Sequence, residues 1–310
     1  MCTIATSIAK VESTQAPPPN LPDMGQFAMT RKKMKWLYDV SISNWKAVQR
    51  AIENGIEADI ANAADAQGRT ALMWAGCANR LDVVLALRSV QGIQVDATDL
   101  EDNTALILAA YAGYDEITAA LRDAAVNAVD MQGNTALLLA ANKNCIDVVV
   151  SLLPASDINV NIANLWGLTA LHCAALANHA EIVSLLLKAA HIDINAVDEN
   201  GHTALMLAAA FGHVDIVDLL CIDPRININA RDLEGQTALM LSRAYPEIAD
   251  TLRRQPNVII NDMSRFTVWT RNMASLFCCT NSTLRKKTAP PEAIPLVIMN
   301  REQNDAEYRF

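Results

Sequence analysis

The sequence predicts an all-α solenoid, a stack of helix pairs joined by projecting β-hairpin-like loops. The main observation is that near-copies of one segment recur: DAQGRTALMWA, DLEDNTALILA, DMQGNTALLLA, NLWGLTALHCA, DENGHTALMLA and DLEGQTALMLS. Their threonines are Thr70, Thr104, Thr135, Thr169, Thr203 and Thr237, so the intervals are 34, 31, 34, 34 and 34 residues. Such a period marks units that are each one supersecondary element, unable to bury its apolar face except against a neighbour. Composition agrees: 52% of residues are hydrophobic and only 5% aromatic, so the core is built from aliphatic side chains and alanine, as in closely stacked helices. At 310 residues the chain is long enough for a full array.

Residues 1–29 carry Pro17-Pro18-Pro19 and lack periodicity, and they read as a flexible leader. Residues 30–64 read as a divergent N-terminal capping unit of two helices, one lined by Met34, Leu37, Tyr38 and Ser41, the other by Trp45, Val48, Ala51 and Ile52. Residues 65–255 hold the six repeats, the last irregular. Each repeat threonine precedes an alanine-leucine run, where its hydroxyl can accept an unpaired N–H of the first helical turn. Leu72, Leu106, Leu137, Leu171, Leu205 and Leu239 fill the space between helices, and paired alanines such as Ala174-Ala175 let units approach closely. Trp74 reads as inward-facing core.

Glycine stands two residues before five of the six threonines, and Asp102 replaces it in the second copy. The turn between helices holds Asn79, Gly113, Asn144, Asn178 and Gly212, residues that tolerate left-handed backbone, while the sixth copy has Pro246. Three residues are missing in the second interval, which predicts an irregularity near residues 121–127. Beyond the repeats, Phe266, Trp269, Met273, Leu276 and Phe277 form a helical stripe, read as a C-terminal capping helix over 256–281, followed by a disordered tail over 282–310.

These hexapeptides resemble the ankyrin-repeat family, whose Thr-Pro-Leu-His motif and alanine-rich helix they match at nearly every position. Alanine stands for the family's proline in all six copies, and only His172 keeps its histidine. The resemblance implies a concave face lined by the hairpin tips and the exposed ends of the first helices. Carried over unit by unit, it assigns partner binding to Leu100, Glu101, Tyr111, Met131, Gln132, Asn142, Lys143, Leu165, Trp166, Leu176, His202, Phe211, Leu233 and Tyr245, with Trp166 as the leading anchor. Aromatic residues ringed by polar ones have the composition of an interface hot spot. Asn127, Asn161, Asn195 and Asn229 resemble asparagines hydroxylated in some family members, and local hydrogen bonding suffices to explain them here.

No chemistry-bearing motif competes with binding. The five histidines fall at repeat or loop positions, and H-E-x-x-H, G-x-S-x-G and G-x-x-x-x-G-K-[ST] are absent. The expectation is therefore a chain with no catalytic residues, no metal, no cofactor and no small-molecule substrate. The aspartates that open the repeats recur once per unit and serve their own hairpins. A net charge of -9 argues against a nucleic-acid surface, and the basic run Arg31, Lys32, Lys33 and Lys35 reads as a solvated flank.

Seven scattered cysteines form no disulfide framework, which fits a reducing, cytoplasmic setting. No stretch is apolar enough to span a membrane, and no signal peptide is visible. The leading expectation is a monomeric adaptor or scaffold that binds another protein. The alternative is a membrane-tethered targeting protein anchored through the C-terminal helix or through lipidation of Cys278 or Cys279, which stand beside Arg285, Lys286 and Lys287. The array with short flanks and acidic Glu302, Asp305 and Glu307 also resembles proteins that intracellular bacteria deliver into host cells.

Overall fold

A computed structural model of the chain describes residues 24–259, with side chains from residue 31 onward. The expected leader over 1–23, Cys278 and Cys279, the capping stripe and the tail lie outside the described residues. The elements are α1 (Met24–Ser41), α2 (Trp45–Glu53), α3 (Ala58–Ala61), α4 (Ala71–Cys77), α5 (Leu81–Arg88), α6 (Ala105–Ala112), α7 (Asp115–Leu121), α8 (Ala136–Asn142), α9 (Ile146–Leu152), α10 (Ala170–Leu176), α11 (Ala180–Leu187), α12 (Ala204–Phe211), α13 (Val214–Ile222), α14 (Ala238–Leu241) and α15 (Pro246–Arg253).

Each repeat begins where its threonine takes extended backbone. The hydroxyls of Thr70, Thr104, Thr135, Thr169 and Thr203 accept the N–H groups of Met73, Ile107, Leu138, His172 and Met206 at 3.1 to 3.5 Å. A cap of this kind contributes about 1 kcal/mol per helix. Thr237 makes no such bond, and α14 gives way after four residues to a 3-10 turn over Ser242–Ala244. Pro246 accounts for the altered helix end: its ring fixes φ near -65°, so the left-handed turn that Asn79, Gly113, Asn144, Asn178 and Gly212 make elsewhere is closed to it.

The short helices α4, α6, α8, α10, α12 and α14 form an inner row, each packed on the next, and α5, α7, α9, α11, α13 and α15 form an outer row. Ala109, Ala110, Ala140, Ala141, Ala174, Ala175, Ala208 and Ala209 are fully buried between neighbouring inner helices. One apolar core runs from Trp36 to Leu252, and Leu72, Leu106, Leu137, Leu171, Leu205 and Leu239 all lie in it. Burying each such leucine is worth roughly 1.5–3 kcal/mol, and every unit receives that contribution partly from the unit beside it.

Two polar ladders tie the units together. Along the hairpins, the N–H groups of Leu100, Met131, Leu165, Glu199 and Leu233 donate to the carbonyls of Gln67, Glu101, Gln132, Trp166 and Asn200 at 2.9 to 3.1 Å. Along the outer loops, each asparagine eight residues before a threonine clamps the following unit. Asn161 Nδ2 donates to the His191 carbonyl at 2.7 Å, and its Oδ1 accepts the Asp193 N–H at 2.8 Å. Asn127, Asn195 and Asn229 make the same pair of bonds, as does Asn62. These asparagines therefore act between units, about thirty residues apart in sequence, and the expectation of local bonding is corrected.

The three-residue deletion is absorbed at the outer loop. α7 ends at Leu121, and the Ala125 N–H is taken by the Asp96 carboxylate at 3.0 Å. The hairpin ladder keeps its pairing there, with the Met131 N–H on the Glu101 carbonyl.

Three expectations need correction. α1 begins at Met24, inside the segment read as leader. Its buried face is Trp36 and Val40, whereas Met34 and Tyr38 are exposed with Ile42, because α1 turns a different side of the helix to α2 than the chosen stripe implied. Trp74 is only half-buried: its indole Nε1 donates to Asp65 Oδ2 at 2.9 Å, and the Arg69 guanidinium lies over its ring at 5.7 Å. The basic flank remains solvated as expected, with Lys32 and Lys33 in exposed pairs with Glu57 and Asp59 at 3.5 and 3.9 Å.

The ladder explains the hairpin glycines. At Gly167, with φ of +74°, a Cβ would stand 2.7 Å from the Glu199 nitrogen, whereas at Gly235, with φ of +77°, it would meet nothing within 4 Å. Gly235→Ala should cost only the left-handed backbone penalty of about 1–2 kcal/mol. Gly167→Ala should cost more, on the order of 3 kcal/mol or above, since the next hairpin must also shift. Urea unfolding of the two variants checks this, and equal losses would refute the close approach as the cause.

Candidate partner-binding surface

The candidate surface is built from a hairpin whose shape is set by its own first residue. Asp65, Asp99, Asp130, Asp198 and Asp232 each accept two backbone N–H groups of their own hairpin on Oδ1, at 2.7 to 2.9 Å. Asn164 does the same at 3.0 and 3.1 Å. With the turn fixed from inside and the ladder fixing neighbours, the residue four before each threonine projects from every hairpin in the same way. Leu100 is 71% exposed, Met131 56%, Leu165 69% and Leu233 80%. Glu199 holds the corresponding place in the fifth repeat and is also exposed.

The other positions assigned to binding divide. Glu101 and Gln132 are exposed on the hairpins. At the ends of the inner helices Lys143 is exposed, with its Nζ 4.4 Å from the Tyr111 ring. Phe211 is 44% exposed and stacks on His213. Tyr245 is half-buried, its ring packed over the Gly212 backbone. Asn142 is half-buried, and its carbonyl bonds with His179 Nε2 at 3.1 Å.

Leu176 is buried at 7% exposure, so it is corrected from a contact residue to a structural one. It lies seven residues after its threonine, one place before the position that Phe211 and Lys143 occupy in their own repeats. Trp166 is half-buried and packs on Leu138, Leu168, Cys173 and Leu207, so much of its ring supports neighbouring hairpins. Counting back from the threonines also misses Val129 and Val197, which are 41% and 54% exposed. They stand six residues before Thr135 and Thr203, and that constant offset is the signal that locates them.

The histidines are structural and differ in state. His172 is buried; its Nδ1 accepts the Thr169 N–H at 3.2 Å and its Nε2 faces the His202 carbonyl at 3.1 Å. Burial holds its pKa below the ordinary value, so the ring stays neutral. His179 and His213 each place Nε2 3.1 Å from a carbonyl of the preceding unit, those of Asn142 and Leu176. His202 bridges two hairpins, with Nδ1 3.1 Å from Asp198 and Nε2 3.7 Å from Asp232. Burial opposes its charge, yet the hydrogen bond to Asp198 and the charges of Asp198, Asp232 and Glu234 prevail and raise its pKa.

Burial pushes the thiols of Cys77 and Cys221 up to about 11 and that of Cys173 to about 12, so none is a thiolate nucleophile near neutrality. Among the described residues no group of three or more His, Cys, Asp or Glu side chains could hold a metal ion. No described helix is long and apolar enough to cross a membrane. The described surface offers contact area and charge, repeated from unit to unit.

Comparison with known proteins agrees with this geometry. A family model described as ankyrin repeats in three copies matches residues 89–164 and 158–232. Among solved structures, the chain is similar to EF0377, an ankyrin-repeat protein, at 29% identity and a TM-score of 0.56, over 59% of this chain and 96% of that one. It is also similar to the ankyrin repeat domain of Bcl-3, a member of the IkappaB family, at 26% identity and a TM-score of 0.62, over 70% of this chain and 97% of that one. No curated protein matches.

The His202 bridge makes a pH prediction. A histidine whose folded pKa lies above its unfolded value of about 6.5 stabilises fully below that value and loses its contribution as pH rises through the folded pKa. The urea midpoint of the wild-type chain should therefore fall relative to that of His202→Gln as pH is raised from about 5.5 to about 8. Parallel midpoints across that range would show that the bridge carries no charge.

Proposed function

Because this chain is an ankyrin-repeat protein, we propose that it is a non-catalytic adaptor or scaffold holding a partner protein against its hairpin tips and inner helix ends. Ankyrin repeats mediate protein–protein interaction. The observation that carries the reading for this chain is the exposed file of Leu100, Met131, Leu165 and Leu233, each more than half accessible.

Large aliphatic side chains so exposed serve no packing purpose within the stack, and contiguous apolar exposure on a soluble chain marks an interaction surface. Phe211, exposed at the end of its inner helix, and Tyr111, with Lys143 over its ring, add aromatic groups of the kind that anchor interfaces. Its setting is reducing and cytoplasmic, a reading supported by the unpaired Cys77, Cys145, Cys173 and Cys221.

Trp166→Ala would be a poor probe, because it also removes packing from Leu138 and Leu207. Met131→Ser with Leu165→Ser is cleaner, since both side chains leave water only when a partner binds. The double variant should unfold within about 0.5 kcal/mol of wild type and lose at least ten-fold in partner capture from cell extract. Capture of the same proteins at the same level would exclude the hairpin file as the binding surface.

A further inference from the structure

The hairpin file has an order, and the order specifies what fits it. The same backbone hydrogen bond recurs at five junctions, so the rungs Leu100, Met131, Leu165, Glu199 and Leu233 stand in one line and one register. Packed helices set neighbouring units about 8–10 Å apart, and the rungs inherit that spacing.

The surroundings are acidic. Glu101, Asp102 and Glu234 are exposed beside the apolar rungs. With Glu199 they outnumber Arg231, the exposed cation of the last hairpin, which donates to the Gly235 carbonyl at 2.5 Å. No described residue hydrogen-bonds or ion-pairs with the Glu199 carboxylate. It is a free charge between two leucine rungs.

Resting on the adaptor reading above, we infer that this file takes an extended basic-apolar segment of a partner protein. The segment presents an apolar side chain at every third position and a lysine or arginine at the rung of Glu199. Spacing selects the conformation. A polyproline-II segment brings every third residue to one face, about 9 Å apart, which matches the rungs. A β-strand puts residues three apart on opposite faces. An α-helix presents a contact every ~5.4 Å, so alternate turns would fall between rungs. About 13 residues span all five rungs at that rise, and the acidic rim favours a cationic segment over an anionic one.

The test uses the full chain and synthetic peptides in fluorescence anisotropy. The probe has leucine at positions 1, 4, 7 and 13 and lysine at 10, on a Pro/Ala/Ser background, in both chain directions. One direction should bind at least ten-fold tighter than a peptide with the same residues spaced every fourth position, and ten-fold tighter than a version with glutamate for the lysine. On the Glu199→Lys chain the preference between lysine and glutamate peptides should reverse.

Equal binding of the mis-spaced peptide, or no reversal, overturns the inference. If partner capture still depends on Met131 and Leu165 in that case, the adaptor reading survives it, and if capture is also indifferent, both fall. A ten-fold gain in peptide affinity on Arg285→Glu with Lys287→Glu would show that the occupant is the chain's own basic tail, which also overturns the assignment to a partner.

Discussion

The constraint on which the stack depends is the backbone hydrogen bond passed from one hairpin to the next, from the residue four before each threonine to a carbonyl of the preceding hairpin. It joins main-chain atoms, so it leaves the side chain free while holding the backbone in place. It is also what demands a near-bare position at Gly68, Gly133, Gly167 and Gly201, whose missing Cβ atoms would each meet the next hairpin's backbone. Asp102 keeps the left-handed backbone of that position, with φ of +60°, but adds a Cβ there, a cost that a single repeat can bear when its neighbours are fully paired.

Much of this was legible because the units repeat. The threonine caps, buried leucines and left-handed turns follow from local chemistry that each copy states again, so six noisy signals agree. Where a residue's role depends on the adjacent unit, that advantage fails. Asn161 looks in sequence like a turn residue, yet its partners are His191 and Asp193, and nothing in its own repeat distinguishes a local bond from a bridge. α1 shows the same limit: with one copy there is no second instance to tell which stripe is buried, and both Met34-Tyr38-Ile42 and Trp36-Val40 have helical spacing.

The candidate surface was readable by position more than by side-chain state. Counting from the threonines finds Leu100, Met131, Leu165 and Leu233 at exposed hairpin positions, because the hairpin geometry is uniform. The same count cannot reveal that Leu176 is covered or that Trp166 leans on Leu207, since both depend on how much volume the neighbouring repeat supplies. A large side chain beside small ones is drawn inward to fill space, while one at a tip has no cavity to enter.

This division separates two kinds of variation along the stack. At the position just before each threonine the residues are Arg69, Asn103, Asn134, Leu168, His202 and Gln236, and several reach the next hairpin: Arg69 toward Asp99 at 3.8 Å, Asn134 to Asn164 at 3.0 Å and His202 toward Asp232 at 3.7 Å. Arg69, Asn134 and His202 tie hairpins together, Asn103 and Gln236 bond within their own hairpins, and Leu168 is buried, so packing and hydrogen bonding inside the stack account for their variety. Four residues before the threonine the opposite holds. Leu165 and Leu233 keep most of their surface in solvent, so packing does not fix their identity, and the change to the exposed Glu199 within that file gains nothing for the fold. A position the fold leaves free, filled with leucine where water would favour a polar residue, is what supports the proposed binding surface.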